Sequence, residues 1–180
     1  FHTLWGLSYP LLQTETKNTL DKFSSYQKEA FAQYFQKGVL FASPGLIEVY
    51  CWYINAQIKN PKNSYELFIQ NIKDNLKHSH LLVLLNTAIL TFKDFREKVC
   101  GIYKEEELLS ENWNIFNRRS PSSWCSGATK DRTRLVRAFN SPFYPHALVT
   151  TSVLQEGINL QLHCNRIIHY GIAWTPGDNE

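Results

Sequence analysis

The residues best equipped for chemistry gather in the last part of the chain, residues 126–180. Three hydroxyls, Thr150, Thr151 and Ser152, follow the apolar run 147–149, and Gln155, Glu156, Gly157 and Asn159 come after them. Such a loop can hydrogen-bond a polar ligand. Glu156 accepts, the Asn159 amide both donates and accepts, and Gly157 lets the backbone turn tightly or approach a ligand closely. A satisfied turn holding nothing is the plainer alternative for the same residues. A second stretch, 171–180, sets Trp174 and Pro176 as a rigid apolar corner ahead of the acidic Asp178-Asn179-Glu180. Upstream, Arg132, Arg134 and Arg137 recur along a helical pattern. They form either a solvated basic face or phosphate contacts, which would position a nucleic acid without reading its sequence.

Other chemistries fail on spacing. His146, His163 and His169 have no Cys or carboxylate at ligand spacing, so no metal site is expected. His163 and Cys164 are adjacent, and adjacent strand residues face opposite ways, which argues against a nucleophilic pair. Ser152 has neither a Gly-x-Ser-x-Gly elbow nor an identifiable His–Asp partner. No catalytic residue is assigned to this chain. Cys51, Cys100, Cys125 and Cys164 are widely spaced and match neither a zinc pattern nor a disulfide framework. They are expected to be core thiols in a reducing compartment, the cytoplasm.

A strand–helix–strand rhythm must position the polar loops. A strand is expected at 124–127 and a helix over 130–140, with Leu135, Val136 and Phe139 inward and the arginines mostly toward solvent. Further strands are expected at 147–152 and 166–170. This is the rhythm of a parallel α/β sheet, where ligands bind just past the carboxyl ends of the strands. Ahead of a polar hinge at 117–123 the pattern is helical. Leu20, Phe23, Phe31 and Tyr34 suit one helical face stopped by Gly38, while Pro10 argues against a helix at the start of the chain. Over 46–58, Ile47, Tyr50, Ile54 and Ile58 recur three or four apart, with Val49, Trp52 and Tyr53 on other faces, so this helix is expected to be sandwiched. Asn63-Ser64-Tyr65-Glu66 resembles a capping box. Residues 78–87 suit a strand or a helix equally, helix is favoured from Ile89 to Val99, and a further helix is expected over 104–116.

Three pieces of the last third, in order and spacing, resemble the C-terminal RecA-like half of a superfamily 2 helicase or translocase. The likeness is closest to the branch of Swi2/Snf2-like and RNA-polymerase-recycling ATPases. LVTTSVLQEGINLQ, residues 148–161, is similar to that family's strand ending in Thr followed by Glu-Gly-Leu-Asn-Leu-Gln. IIHYGIAWTPGDNE, residues 167–180, resembles its strand leading to a Trp-Asn-Pro corner four residues ahead of a Glu. Gly127, Arg132 and Phe139-Asn140 resemble its Gly…Arg…Phe-Asn segment.

The resemblance implies an α/β fold, a RecA-like parallel sheet with flanking helices, forming part of the second motor domain at residues 118–180. A mainly helical region at 1–117, an insertion or brace, precedes it. It further implies that Glu156, Gly157 and Asn159 bind or couple to the nucleotide and that Arg132, Thr150 and Thr151 meet nucleic acid. Gly127, Trp174, Pro176 and Glu180 would support the motor motifs. DNA would be the partner, with RNA also allowed, together with the first RecA-like domain of the same polypeptide and a protein partner through the helical region. Ser152 and Gly171 stand where many relatives have Asp, and Thr175 where Asn is usual. The chain contains no Gly-x-Gly-Lys-Thr phosphate loop and no Asp-Glu-x-His box. The γ-phosphate needs a Lys, a metal and an arginine finger around it. ATP and Mg2+ are therefore expected in a full-length protein, with none held by this chain alone, which should be inactive by itself. The departures also motivate a second hypothesis, a degenerate, non-catalytic helicase-like module that binds nucleic acid or protein.

Composition bounds these readings without choosing between them. The 180 residues are 43% apolar and 14% aromatic, globular values that exclude wholesale disorder. A formal charge of +3 permits a polyanionic partner but is too small for binding by bulk charge. The lack of Met and the start at Phe1 suggest a processed or excised piece. Residues 1–12 lack the pattern of a secretory signal. The densest apolar run, 81–85, is far too short to span a membrane, and no membrane partner is expected.

Overall fold

A computed structural model describes residues 2–42, 44–111, 113, 120–154 and 158–170. Six helices come first: α1 (His2–Ser8), α2 (Thr14–Asp21), α3 (Ser25–Tyr34), α4 (Pro44–Lys59), α5 (Ser64–Asn75) and α6 (His80–Asp94). A β–α–β unit follows, made of β1 (Ser122–Cys125), α7 (Arg132–Phe139) and β2 (Ala147–Thr150). The two strands pair in parallel, Ser122 with Ala147 through Cys125 with Thr150. The order matches the expected helical region ahead of a parallel α/β unit.

Local chemistry explains where the helices start and stop. Pro10 does not prevent α1; it sits in the first turn of the 3-10 segment Tyr9–Leu11, where a missing N–H costs nothing because it would have no helical partner. The expected single helix ending at Gly38 is two helices, because Ser24 caps α3. Its hydroxyl accepts from the Gln27 N–H, and the Gln27 side chain accepts from the Ser24 N–H. Both side chains also donate to Glu105, at 2.9 and 3.1 Å, which clamps the start of α3 to a distant segment. Gly38 stops nothing, since α3 runs on into a π turn at Phe35–Val39. At α5 the expected capping box does not form, and Asn63 makes no side-chain cap.

The open choice at 78–87 resolves as helix. Ser79 caps α6 by accepting from the Leu82 N–H, and the Glu48 carboxylate of α4 accepts from the His80 and Leu81 N–H groups at 3.1 and 3.2 Å. A negative charge at a helix N-terminus is favoured by the macrodipole. α4 and α6 cross closely at Gly45, where an added Cβ would stand 3.3 Å from the Leu81 Cα. The face of α4 turned inward carries Gly45, Val49, Trp52 and Ala56. The expected sandwiching fails on the other face, where Ile47, Tyr50 and Ile58 are exposed, Ile58 at 76%, and Ile54 is half-buried. Periodicity could not tell a covered face from a bare one, because both faces of this helix are apolar.

The core is an aromatic cluster in which Phe31, Tyr34, Phe35, Phe92, Phe95 and Trp113 are almost fully buried. Tyr34 stacks on Phe95 at 5.0 Å and meets Trp113 edge-on at 5.8 Å, geometries that add to the area they bury. The expected helix over 104–116 forms only as the turn Glu105–Glu107 within the described residues. Leu108 and Trp113 are both buried, and the Trp113 indole N–H donates to the Leu108 carbonyl, closing a tight loop instead. Ala138 and Phe143 join the same cluster, so the β–α–β unit and the helices share one core. Residues 166–170 do not form the expected strand. Ile167 and Ile168 are 72% and 76% exposed, and strand propensity without a neighbouring strand has no ladder to join.

Candidate functional site

Parallel pairing brings the carboxyl ends of β1 and β2 to one edge of the sheet. The Thr151 N–H donates to the Cys125 carbonyl at 3.2 Å, carrying the pairing one residue past β2. β1 leaves this edge through a turn at 126–129. The Thr129 N–H donates to the Ser126 carbonyl, the Ser126 N–H to the Thr129 hydroxyl, and the Ala128 N–H to the Ser126 hydroxyl. Asp131 then caps α7 by accepting from the Arg134 N–H at 3.1 Å.

Two of the expected site residues touch across this turn. The Arg132 guanidinium donates to the Gly127 carbonyl at 2.7 Å. Nothing lies within 4 Å of where a Cβ on Gly127 would sit, so packing does not demand glycine there. Thr150 and Thr151 are exposed beside this turn, and the Thr150 hydroxyl donates to the Thr151 carbonyl at 2.8 Å. Gly127, Arg132, Thr150 and Thr151 thus share the carboxyl edge of the sheet. The buried Leu154 anchors the turn Ser152–Leu154 that leads away.

Asn159 is not brought to that edge. Its backbone carbonyl accepts from the Asn140 side-chain amide at 2.6 Å, and its own side chain accepts from the Gln161 N–H at 2.9 Å. Arg132 opens α7 and Asn140 caps its far end, about 12 Å away by helical rise. Glu156, Gly157, Trp174, Pro176 and Glu180 lie outside the described residues, as do Gly171 and Thr175.

The arginines of α7 are not a free basic face. Arg134 lies 3.9 Å from Asp131, and Arg137 pairs with Glu111 at 2.8 Å, with side chains 26% and 25% exposed. Of the three, Arg132 reaches into the turn at the sheet edge. Among the described residues no three His, Cys, Asp or Glu side chains gather as a metal site. Sequence reasoning passed over Ser126 and Thr129, whose side chains fix the turn. A Ser-x-x-Thr spacing around Gly127 was the available signal. It also did not pair Asn140 with Asn159, a contact between loops that no local pattern encodes.

The family described as the helicase conserved C-terminal domain matches residues 70–180, more than half of the chain. No curated protein and no solved structure matches it.

Proposed function

Because the chain belongs to the helicase conserved C-terminal domain family, we propose that it is part of an ATP-dependent DNA helicase or translocase of the Swi2/Snf2-like branch. It would supply nucleic-acid grip and coupling loops of the second motor domain. One observation carries this: Arg132 is held by Gly127 at the carboxyl edge where Thr150 and Thr151 are exposed, the position at which parallel sheets present ligand contacts. A guanidinium has five N–H donors. With one on the Gly127 carbonyl, others can meet a backbone phosphate beside the two threonine hydroxyls.

ATP and Mg2+ enter as companions of the full-length protein. ATP would supply the free energy of translocation where this domain meets the first RecA-like domain. Among the described residues no three His, Cys, Asp or Glu side chains gather, and Asn159 stands at the far end of α7 from Arg132. Glu156 and Gly157 are assigned to coupling, and Trp174, Pro176 and Glu180 to bracing, on resemblance. The division into 1–117 and 118–180 belongs to the same proposal. Within it the helical region is a brace, since Trp113 packs in one cluster with Ala138 and Phe143. No helix among the described residues is long and apolar enough to cross a membrane, and the cytoplasm is the proposed location.

Steady-state ATP hydrolysis by the full-length protein, with and without single- or double-stranded DNA or RNA, tests the proposal. DNA-stimulated turnover that Thr151→Val reduces several-fold is the expected result. No turnover with any nucleic acid, in protein shown to be folded, overturns it and leaves the degenerate binding module.

A further inference from the structure

α7 is open at one end and fixed at the other. Asp131 and Thr133 are exposed at its start, while Ala138 and the cap residue Asn140 are buried at its close. From the open end the Arg132 guanidinium reaches the Gly127 carbonyl. Five residues on, about 7–8 Å along the axis, Arg137 Nη1 donates to the Glu111 carboxylate at 2.8 Å. The two side chains are 25% and 22% exposed, so water does little to replace either partner, and removing one leaves the other charge without its counterpart. Glu111 is itself held in place. It stands in the loop that the Trp113 indole closes by donating to the Leu108 carbonyl, and Leu108 and Trp113 are both buried. Burial pushes the Cys100 thiol up to about 12, and of the charges that also act on it Arg137 pulls down and Glu111 pushes up. The ion pair therefore lies beside Cys100, which packs against the aromatic core.

We propose that Glu111 is a positioning residue for the nucleic-acid edge: through Arg137 it sets the rotation and tilt of α7, and so where Arg132 stands beside Thr150 and Thr151. The carboxylate comes from the helical region, so that region helps to build the edge instead of merely preceding it. A helix of eight residues moves as one hydrogen-bonded body. A change at Arg137 is thus carried to Arg132, although the two side chains leave the axis about 140° apart. The inference rests on reading the edge as a nucleic-acid contact, and its test separates the two.

In the full-length protein, hydrogen exchange at Ala128 and Thr129, whose amides are bonded within the turn, reads where Arg132 sits. Duplex DNA affinity reads what it does there. Glu111→Gln and Arg137→Gln should each speed exchange at both amides and weaken duplex binding several-fold. Arg137→Lys should restore both, because the contact uses one N–H, which an ammonium can supply. In an Arg132→Gln background, Glu111→Gln should add less than twofold to the loss, the non-additivity of residues that act as a unit. A merely structural role predicts instead a loss that follows the urea midpoint and adds in full to that of Arg132→Gln. That outcome overturns the proposal, as does unchanged exchange at Ala128 and Thr129 in both glutamine variants. Duplex binding indifferent to Arg132→Gln, with exchange at the turn still set by Glu111, keeps Glu111 as the positioning residue and removes nucleic acid from the edge.

Discussion

The Asn140 side chain donates to the Asn159 backbone carbonyl at 2.6 Å, tying the end of α7 to the segment that follows β2. Asn140 is itself buried, and its side-chain oxygen has no partner. Asn140→Ala leaves the Asn159 carbonyl short of its donor and should cost about 1–3 kcal/mol. Asn140→Asp should cost more, because it places a buried charge against a carbonyl. Urea midpoints check the cost, with unchanged slope showing that the denatured state is not at issue. Faster amide exchange confined to residues 158–161 would locate the effect, and an unchanged exchange pattern would show that the contact holds nothing.

Stability should fall as pH rises above about 9. Burial pushes the Cys100 thiol from its ordinary 9.0 up to about 12, against a smaller downward pull from Arg137. Burial also raises the Tyr34 phenol well above 10.0. Groups that hold their protons more tightly when folded leave stability unchanged below the unfolded value and erode it between the two values. For Cys100 that window runs from 9.0 to about 12, with a slope on the order of 1.4 kcal/mol per pH unit for one group. Cys100→Ala should flatten the alkaline limb of a pH–stability curve. Tyr34→Phe should also flatten it, and at neutral pH should be neutral or stabilising, because the Tyr34 hydroxyl is buried without a partner.

The β–α–β unit was legible because its signals are local. A short strand, an amphipathic helix and a second strand each announce themselves within ten residues; α7 and β2 fall inside their expected bounds, while β1, Ser122–Cys125, begins and ends two residues ahead of the expected 124–127. Contacts across the chain were not legible. Glu105 was expected to open a helix of its own, and its carboxylate instead receives Ser24 and Gln27. The arginines of α7 looked solvated because nothing near them in sequence revealed Glu111 opposite Arg137. Two apolar faces on α4 suggested a sandwiched helix, and among the described residues one of them packs on the core while Ile47, Tyr50 and Ile58 stay exposed. The site was legible in part: Gly127, Arg132, Thr150 and Thr151 do share one edge, whereas Asn159 belongs to the other end of α7.

The α4–α6 crossing should tolerate no branched side chain at Gly45. A Cβ there meets Leu84 Cδ1 at 3.0 Å and the Leu81 Cα at 3.3 Å, and the second of these is backbone that cannot swing away. Gly45→Val should destabilise by about 1–3 kcal/mol through overpacking. Gly45→Ala is milder, since better helix propensity of about 1 kcal/mol offsets part of the contact. Thermal melts of the two variants should rank alanine above valine. Equal melting temperatures would show that the helices separate without cost.

Arg132 distinguishes a phosphate contact from a structural brace. As a brace it only fixes the turn at 126–129 through the Gly127 carbonyl. As a phosphate contact it also carries charge to a polyanion. Arg132→Gln keeps an amide donor for the turn and removes the charge. In the full-length protein, a phosphate contact predicts weaker duplex binding by a similar factor on every sequence tested. It also predicts a salt slope smaller by about one, because one fewer counterion is released. Stability should then stay within about 0.5 kcal/mol of the parent, as for surface substitutions generally. An unchanged salt slope with faster amide exchange at Ala128 and Thr129 would assign Arg132 to the brace, and leave Thr150 and Thr151 as the edge residues available to a nucleic acid.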